Sequence, residues 1–113
     1  MNLPARPDEQ RWASMSLMQQ MANIGSEVGR TSKWMAKGNQ QMAFGAFVRG
    51  IDLIDMTIKC GRLGMPSRDA LLKELCRCRD IFASAFLDGN LEAMESLDRY
   101  FGHFALAVRG NNK

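Results

Sequence analysis

Twice in this chain a glycine is followed by an asparagine between two stretches of helical periodicity, in AKGNQQMAFGAF and again in LDGNLEAMESL. Glycine just past a helix enters the left-handed backbone region without a Cβ clash, and asparagine at a helix start lends its side-chain oxygen to an otherwise unbonded amide. Each pair therefore reads as one helix stopping and the next beginning. A third break, KCGRLGMPSRDA, holds two glycines and a proline, with Ser67 placed to cap the run that follows. Three breaks divide the chain into four helices at about 9–37, 40–60, 67–87 and 91–109, with flexible tails at 1–8 and 110–113.

The apolar residues inside each run recur at spacings of three and four, which places them on one face of a helix. The first run offers Leu17, Met21, Ile24, Val28, Thr31 and Met35, and the second Phe44, Phe47, Ile51, Ile54 and Ile58. The third offers Leu71, Leu75, Cys78, Phe82 and Ala85, and the fourth Met94, Leu97, Phe101, Phe104 and Val108. No segment alternates with the period of two that marks a strand. Four helices of similar length joined by short turns must lie beside their neighbours in alternating direction. The expected fold is all-α, an antiparallel up-down-up-down four-helix bundle, and 113 residues suffice for one such domain spanning 1–113.

Charges fall opposite the apolar faces. Arg49 with Asp52, Asp55 with Lys59, Glu74 with Arg77 and Glu95 with Arg99 stand three or four apart and read as exposed pairs within single helices. The first helix carries a second stripe of mostly small residues, Met18, Ala22, Gly25, Gly29, Ser32 and Ala36. A mid-helix glycine costs about 1 kcal/mol relative to alanine, so another backbone is expected close to Gly25 and Gly29. That neighbour lies either in the same bundle or in a second copy of the chain. Nine methionines suit a core that needs flexible gap-fillers, and Trp12 and Trp34, at the two ends of the first helix, read as lids on the bundle.

Composition excludes several classes. With 46% hydrophobic and 24% charged residues the chain falls among globular proteins and away from disordered ones. No run approaches the ~18 to 20 apolar residues of a membrane span, and MNLPARPDEQRW places proline, arginine and acids where a secretory signal needs an apolar stretch, so the expected location is cytoplasmic. Cys60, Cys76 and Cys78 are expected as free thiols. In CRC the two cysteines point ~200° apart on a helix and cannot share a metal ion; neither metal nor cofactor is expected.

Two groups of residues invite a functional reading. Arg99 and His103, four apart in DRYFGHF, share a helix face, where an arginine could hold an RNA phosphate and an imidazole could move a proton near neutral pH. Arg68, Lys73 and Arg77, with Arg62 and Arg79, form a basic stretch in a chain of net charge +3, though Asp69, Glu74 and Asp80 dilute it as a surface for RNA or an acidic partner. GRLGMPS lacks the lysine and hydroxyl of a phosphate-binding loop and reads as a connector.

The stretch KGNQQMAFGAFVRGIDLIDMTIKC, a Gly-Asn start before an Ala/Phe/Arg helix, is similar to small uncharacterised prokaryotic helical-bundle proteins and more distantly resembles the HEPN class of four-helix bundles. That resemblance implies an RNA-processing enzyme, a toxin or a partner of a nucleotidyltransferase, with Arg99 and His103 as its catalytic pair. The HEPN signature separates its arginine and histidine by four to six residues, and here only three intervene. The two turns also lie too far apart for the ~34-residue tetratricopeptide period. The residues alone favour a non-catalytic binding module that acts as a homodimer through a protein partner surface, with the HEPN-like enzyme as the alternative.

Overall fold

The computed structural model describes residues 8–60 and 68–111, except the side chains of Arg68 and of 108–111. Five α-helices make up the ordered elements among these residues, and none is a strand: α1 (Glu9–Ser14), α2 (Leu17–Ala36), α3 (Gln40–Cys60), α4 (Arg68–Leu87) and α5 (Leu91–Asn111). The segment 61–67, with its Ser67 cap and Arg62, and the tail residues 1–7 and 112–113 lie outside the described residues. Among the described residues no helix is long and apolar enough to cross a membrane.

Both Gly-Asn pairs lie in three-residue joints between helices. Gly38 and Gly89 take φ of 74° and 64°. The amide of Gly38 bonds Met35 O and that of Asn39 bonds Trp34 O; Gly89 bonds Phe86 O and Asn90 bonds Ala85 O in the same way. This paired pattern satisfies the last carbonyls of α2 and α4. Each asparagine then caps the next helix, Asn39 Oδ1 accepting from the Met42 amide at 3.1 Å and Asn90 Oδ1 from the Ala93 amide at 3.0 Å. One residue thus closes one helix with its backbone and opens the next with its side chain.

The expected first helix, 9–37, is two helices. Met15 and Ser16 are extended, and Ser16 and Gln19 form a reciprocal capping box, the hydroxyl accepting from the Gln19 amide at 3.1 Å and the Gln19 carbonyl from the Ser16 amide at 3.0 Å. Asp8, expected in a flexible tail, caps α1 by accepting from the Gln10 amide. Trp12 therefore belongs to a separate short helix. Its indole N–H donates to Thr57 Oγ1 at 2.9 Å, Thr57 donates to Leu53 O, and Gln20 Nε2 donates to Trp12 O at 2.8 Å, all from buried positions that fasten α1 to α3 and α2. At the other terminus α5 continues through Asn111, past the expected end at 109.

Helix α2 makes its most extensive contacts with α5 and α3, while α4 touches both α5 and α3, and α1 rests on α3. The core is built from Ile24, Val28, Ile54, Leu71, Leu75, Cys78, Phe82, Met94 and Phe101, so the apolar stripes of α2, α4 and α5 face inward as expected. Helix α3 differs. Its most buried face holds Ala43, Ala46, Gly50, Ile54 and Thr57, whereas Phe44, Phe47, Ile51 and Ile58 are only partly buried. Small residues lie innermost because α3 runs close to two neighbours: a Cβ on Gly50 would stand 2.6 Å from the Phe82 ring and 3.3 Å from Glu27 Cβ. The phenylalanines turn sideways to α4, where Phe47 stacks on Phe86 at 4.3 Å and meets Phe82 at 4.9 Å.

Gly25 and Gly29 lie against α5 of the same chain. A Cβ on Gly25 would fall 2.7 Å from Phe101 Cβ, and one on Gly29 would fall 3.1 Å from Asp98 Oδ1. Gly25→Leu is therefore expected to lower stability by roughly 1 to 3 kcal/mol through overpacking. Gly102→Ala, with nothing within 4 Å of the added atom, should instead be neutral or stabilising by up to ~1 kcal/mol. Loss of a cap in Asn39→Ala or Asn90→Ala should cost about 0.5 to 2 kcal/mol each. Urea denaturation of the four variants beside the parent measures all of these differences.

Candidate functional site

Three of the ion pairs among the described residues join different helices. Arg49 bonds Glu27 at 3.1 Å in place of Asp52, Arg79 bonds Asp55 with two nitrogens at 2.7 and 3.3 Å, and Lys59 pairs with Glu9 at 2.6 Å. Arg99 donates to Ser96 Oγ at 3.0 Å in place of Glu95. Only Glu74 and Arg77, at 2.6 Å, pair as the single-helix spacing suggested. Glu27 is the buried member of this set, held between Arg30 at 3.3 Å and Arg49. Its burial is tolerable because two guanidinium groups compensate the charge.

These contacts decide where the sequence-derived candidates stand. Arg99 is engaged with a serine one turn before it, and His103 is exposed on the same helix. Lys73 is exposed, Arg77 is tied to Glu74, and the side chain of Arg68 is outside the described set, so the expected basic surface is partly neutralised. Among the described residues no three of His, Cys, Asp and Glu come together as metal ligands, and Cys60, Cys76 and Cys78 are free thiols.

A feature that periodicity did not reveal lies along the outer seam of α4 and α5. Two adjoining hollows of about 250 and 220 Å³ share Ile81 and Ala93 and together form one elongated groove. Ser84, Asp88 and Asn90 border one end, and Arg77, Ser96 and Tyr100 the other, with Asp80 nearer the middle beside Ile81. Alanine and serine at the lining positions keep it open, because facing helices with larger residues there would close the seam. The two short side chains Ala93 and Ser96, three apart on α5, were the available sequence signal.

The Arg77 end is chemically ordered. Glu74 accepts from Arg77 Nε on one oxygen and from the Tyr100 hydroxyl on the other, and the guanidinium lies 5.4 Å from the centre of the Tyr100 ring. The Arg77 and Tyr100 hydrogen bonds hold the Glu74 carboxyl below its ordinary pKa of 4.5. Burial, reinforced by that same hydrogen bond, pushes the Tyr100 hydroxyl upward, and burial raises the Cys78 thiol beneath to about 11. At neutral pH the cluster is a carboxylate, a guanidinium, a neutral phenol and a neutral thiol, which is an arrangement for holding α4 and α5 in register.

No protein-family model, no curated protein and no solved structure matches this chain.

Two carboxylates give opposite pH responses. Glu74, with its pKa depressed on folding, supplies stability that is present above 4.5 and is lost as pH falls through its lower folded value. Asp98, half-buried beside Gly29, is pushed above 3.8 chiefly by burial, so the folded state binds its proton more readily and stability falls as pH rises through that raised value. Glu74→Gln should be less stable than the parent at pH 7 and converge on it below pH 4.5. Asp98→Asn should gain stability over the parent as pH rises above 3.8. Urea midpoints of both variants, followed from neutrality down to below pH 3.8, test the two signs.

Proposed function

We propose that this protein is a non-catalytic interaction module: an antiparallel up-down-up-down four-helix bundle, led by the short α1, that works as a homodimer. The bundle reading is supported by the order of contacts. Along α3 the residues Phe44, Phe47 and Asp55 meet Phe86, Phe82 and Arg79, so one helix ascends as the other descends. Gly25 and Gly29 of α2 meet Phe101 and Asp98 of α5 in the same opposed sense, and α4 meets α5 through Glu74 and Tyr100. Each long helix then has two neighbours, and α2 with α5 closes the ring.

The α4–α5 groove carries the functional reading. Arginine–carboxylate pairs bridge α2 to α3 and α3 to α4, whereas the α4–α5 seam presents an apolar trough bordered by polar groups to the outside. Such a surface suits a macromolecular partner, because apolar floors flanked by polar rims are how protein interfaces are built.

The catalytic alternative predicts metal-independent RNA cleavage that disappears in His103→Ala. The expected outcome is no His103-dependent cleavage by purified protein, since Arg99 is bonded to Ser96 and no third group orients the pair among the described residues. Sedimentation equilibrium of the parent should return the mass of two chains. Cleavage lost on His103→Ala would replace this reading with the enzymatic one, and a single-chain mass across the micromolar range would remove the homodimer.

A further inference from the structure

The polar rim of the α4–α5 groove is not uniform. One end carries Asp88, and Asp80 borders the groove nearer its middle, beside Ile81; at the other end, Arg77 lines the groove and Arg99 stands beside it through its bond to Ser96. Glu74 offsets part of the charge of Arg77, and Lys73, exposed one turn earlier on α4, adds to it. The groove is therefore acidic where α4 ends and α5 begins, and basic about three turns away, with Ile81 and Ala93 between. Across a two-fold axis an interface meets itself reversed, so each residue i that touches j on the partner is matched by j touching i. A surface whose two ends carry opposite charge signs is complementary, end on end, to its own rotated copy. A uniformly basic or acidic seam would repel itself in the same arrangement.

We propose that the occupant of the α4–α5 groove is the same groove of a second chain, the two copies related by a two-fold axis near Ile81 and Ala93. The acidic end of each copy lies on the basic end of the other, with Asp88 of one chain facing Arg99 of its partner. The short side chains at Ser84, Ala93 and Ser96 let the two seams approach, and Ile81 and Leu97 supply apolar area at the centre. The glycine stripe of α2 is excluded from this role because α5 of the same chain already occupies it. This assignment rests on the homodimer reading and adds the face and its symmetry.

The test separates the two. Ser84→Trp fills the groove from an exposed position and should weaken dimerisation by about tenfold or more, with an unchanged helical spectrum. Asp88→Arg sets arginine against arginine at both ends of its own dimer, and Arg99→Asp sets aspartate against aspartate, so each variant alone should be largely monomeric. Mixed one to one they restore attraction at both ends, since one chain then offers arginine at 88 and 99 and the other aspartate at both. Recovery of a two-chain mass on mixing, read by sedimentation equilibrium, is the expected result. If the parent is a single chain, the homodimer reading falls and this proposal with it. If the parent is a dimer and these variants dimerise as tightly as the parent, or fail to recover on mixing, the homodimer stands and the α4–α5 face is wrong.

Discussion

The contact of α2 with α5 organises the rest of this molecule. The two helices are separated by most of the chain, yet Gly25 admits the Cβ of Phe101 to a distance at which any side chain of its own would collide. Dispersion and burial reward such proximity only when no atom intrudes, which is why a residue unfavourable to helix formation is used in mid-helix. With α2 and α5 joined, α3 and α4 have a place beside them, and Phe82 and Ile54 are sealed from water.

A second close approach, at Gly50, sets the character of α3. Because this helix lies near both Glu27 of α2 and Phe82 of α4, its innermost positions are alanine, glycine and threonine, and its large aromatics are displaced toward α4. The same proximity brings Arg49 to Glu27 and Arg79 to Asp55. These partly buried pairs are formed between helices, so they set which helices lie side by side in addition to contributing charge attraction.

The seam of α4 and α5 is organised differently. Its inner half is held by Phe82, Met94, Leu97 and Phe101, while its outer half is left as a trough by alanines and serines, with the Glu74–Arg77–Tyr100 cluster tying the two helices at one end. Packing inside and openness outside coexist because neighbouring residues within each turn of a helix point to different faces. The polarity along the trough then follows from where each charge falls on α4 and α5.

Much of the secondary structure was legible in the residues themselves, because caps and turns are local. Gly38 and Gly89 have the left-handed backbone their context required, Asn39 and Asn90 cap as their side chains allow, and the inward faces of α2 and α4 follow their apolar spacing. The division at Met15 and Ser16 was also written locally, in the reciprocal Ser16–Gln19 box, but a periodicity that continued past it concealed the break. What only the tertiary structure decided is everything that depends on a neighbour. Arg49, Asp55, Lys59 and Arg99 each had a plausible partner on their own helix, and each took another, Arg99 on α5 itself and the rest from a different helix. The small residues of α3 proved innermost, and the α4–α5 trough arose from two surfaces that no single helix contains. The physical reason is range: capping bonds span a few residues and are decided by the chain's own backbone, whereas packing and ion pairing are decided by whichever side chain the folded neighbours bring closest.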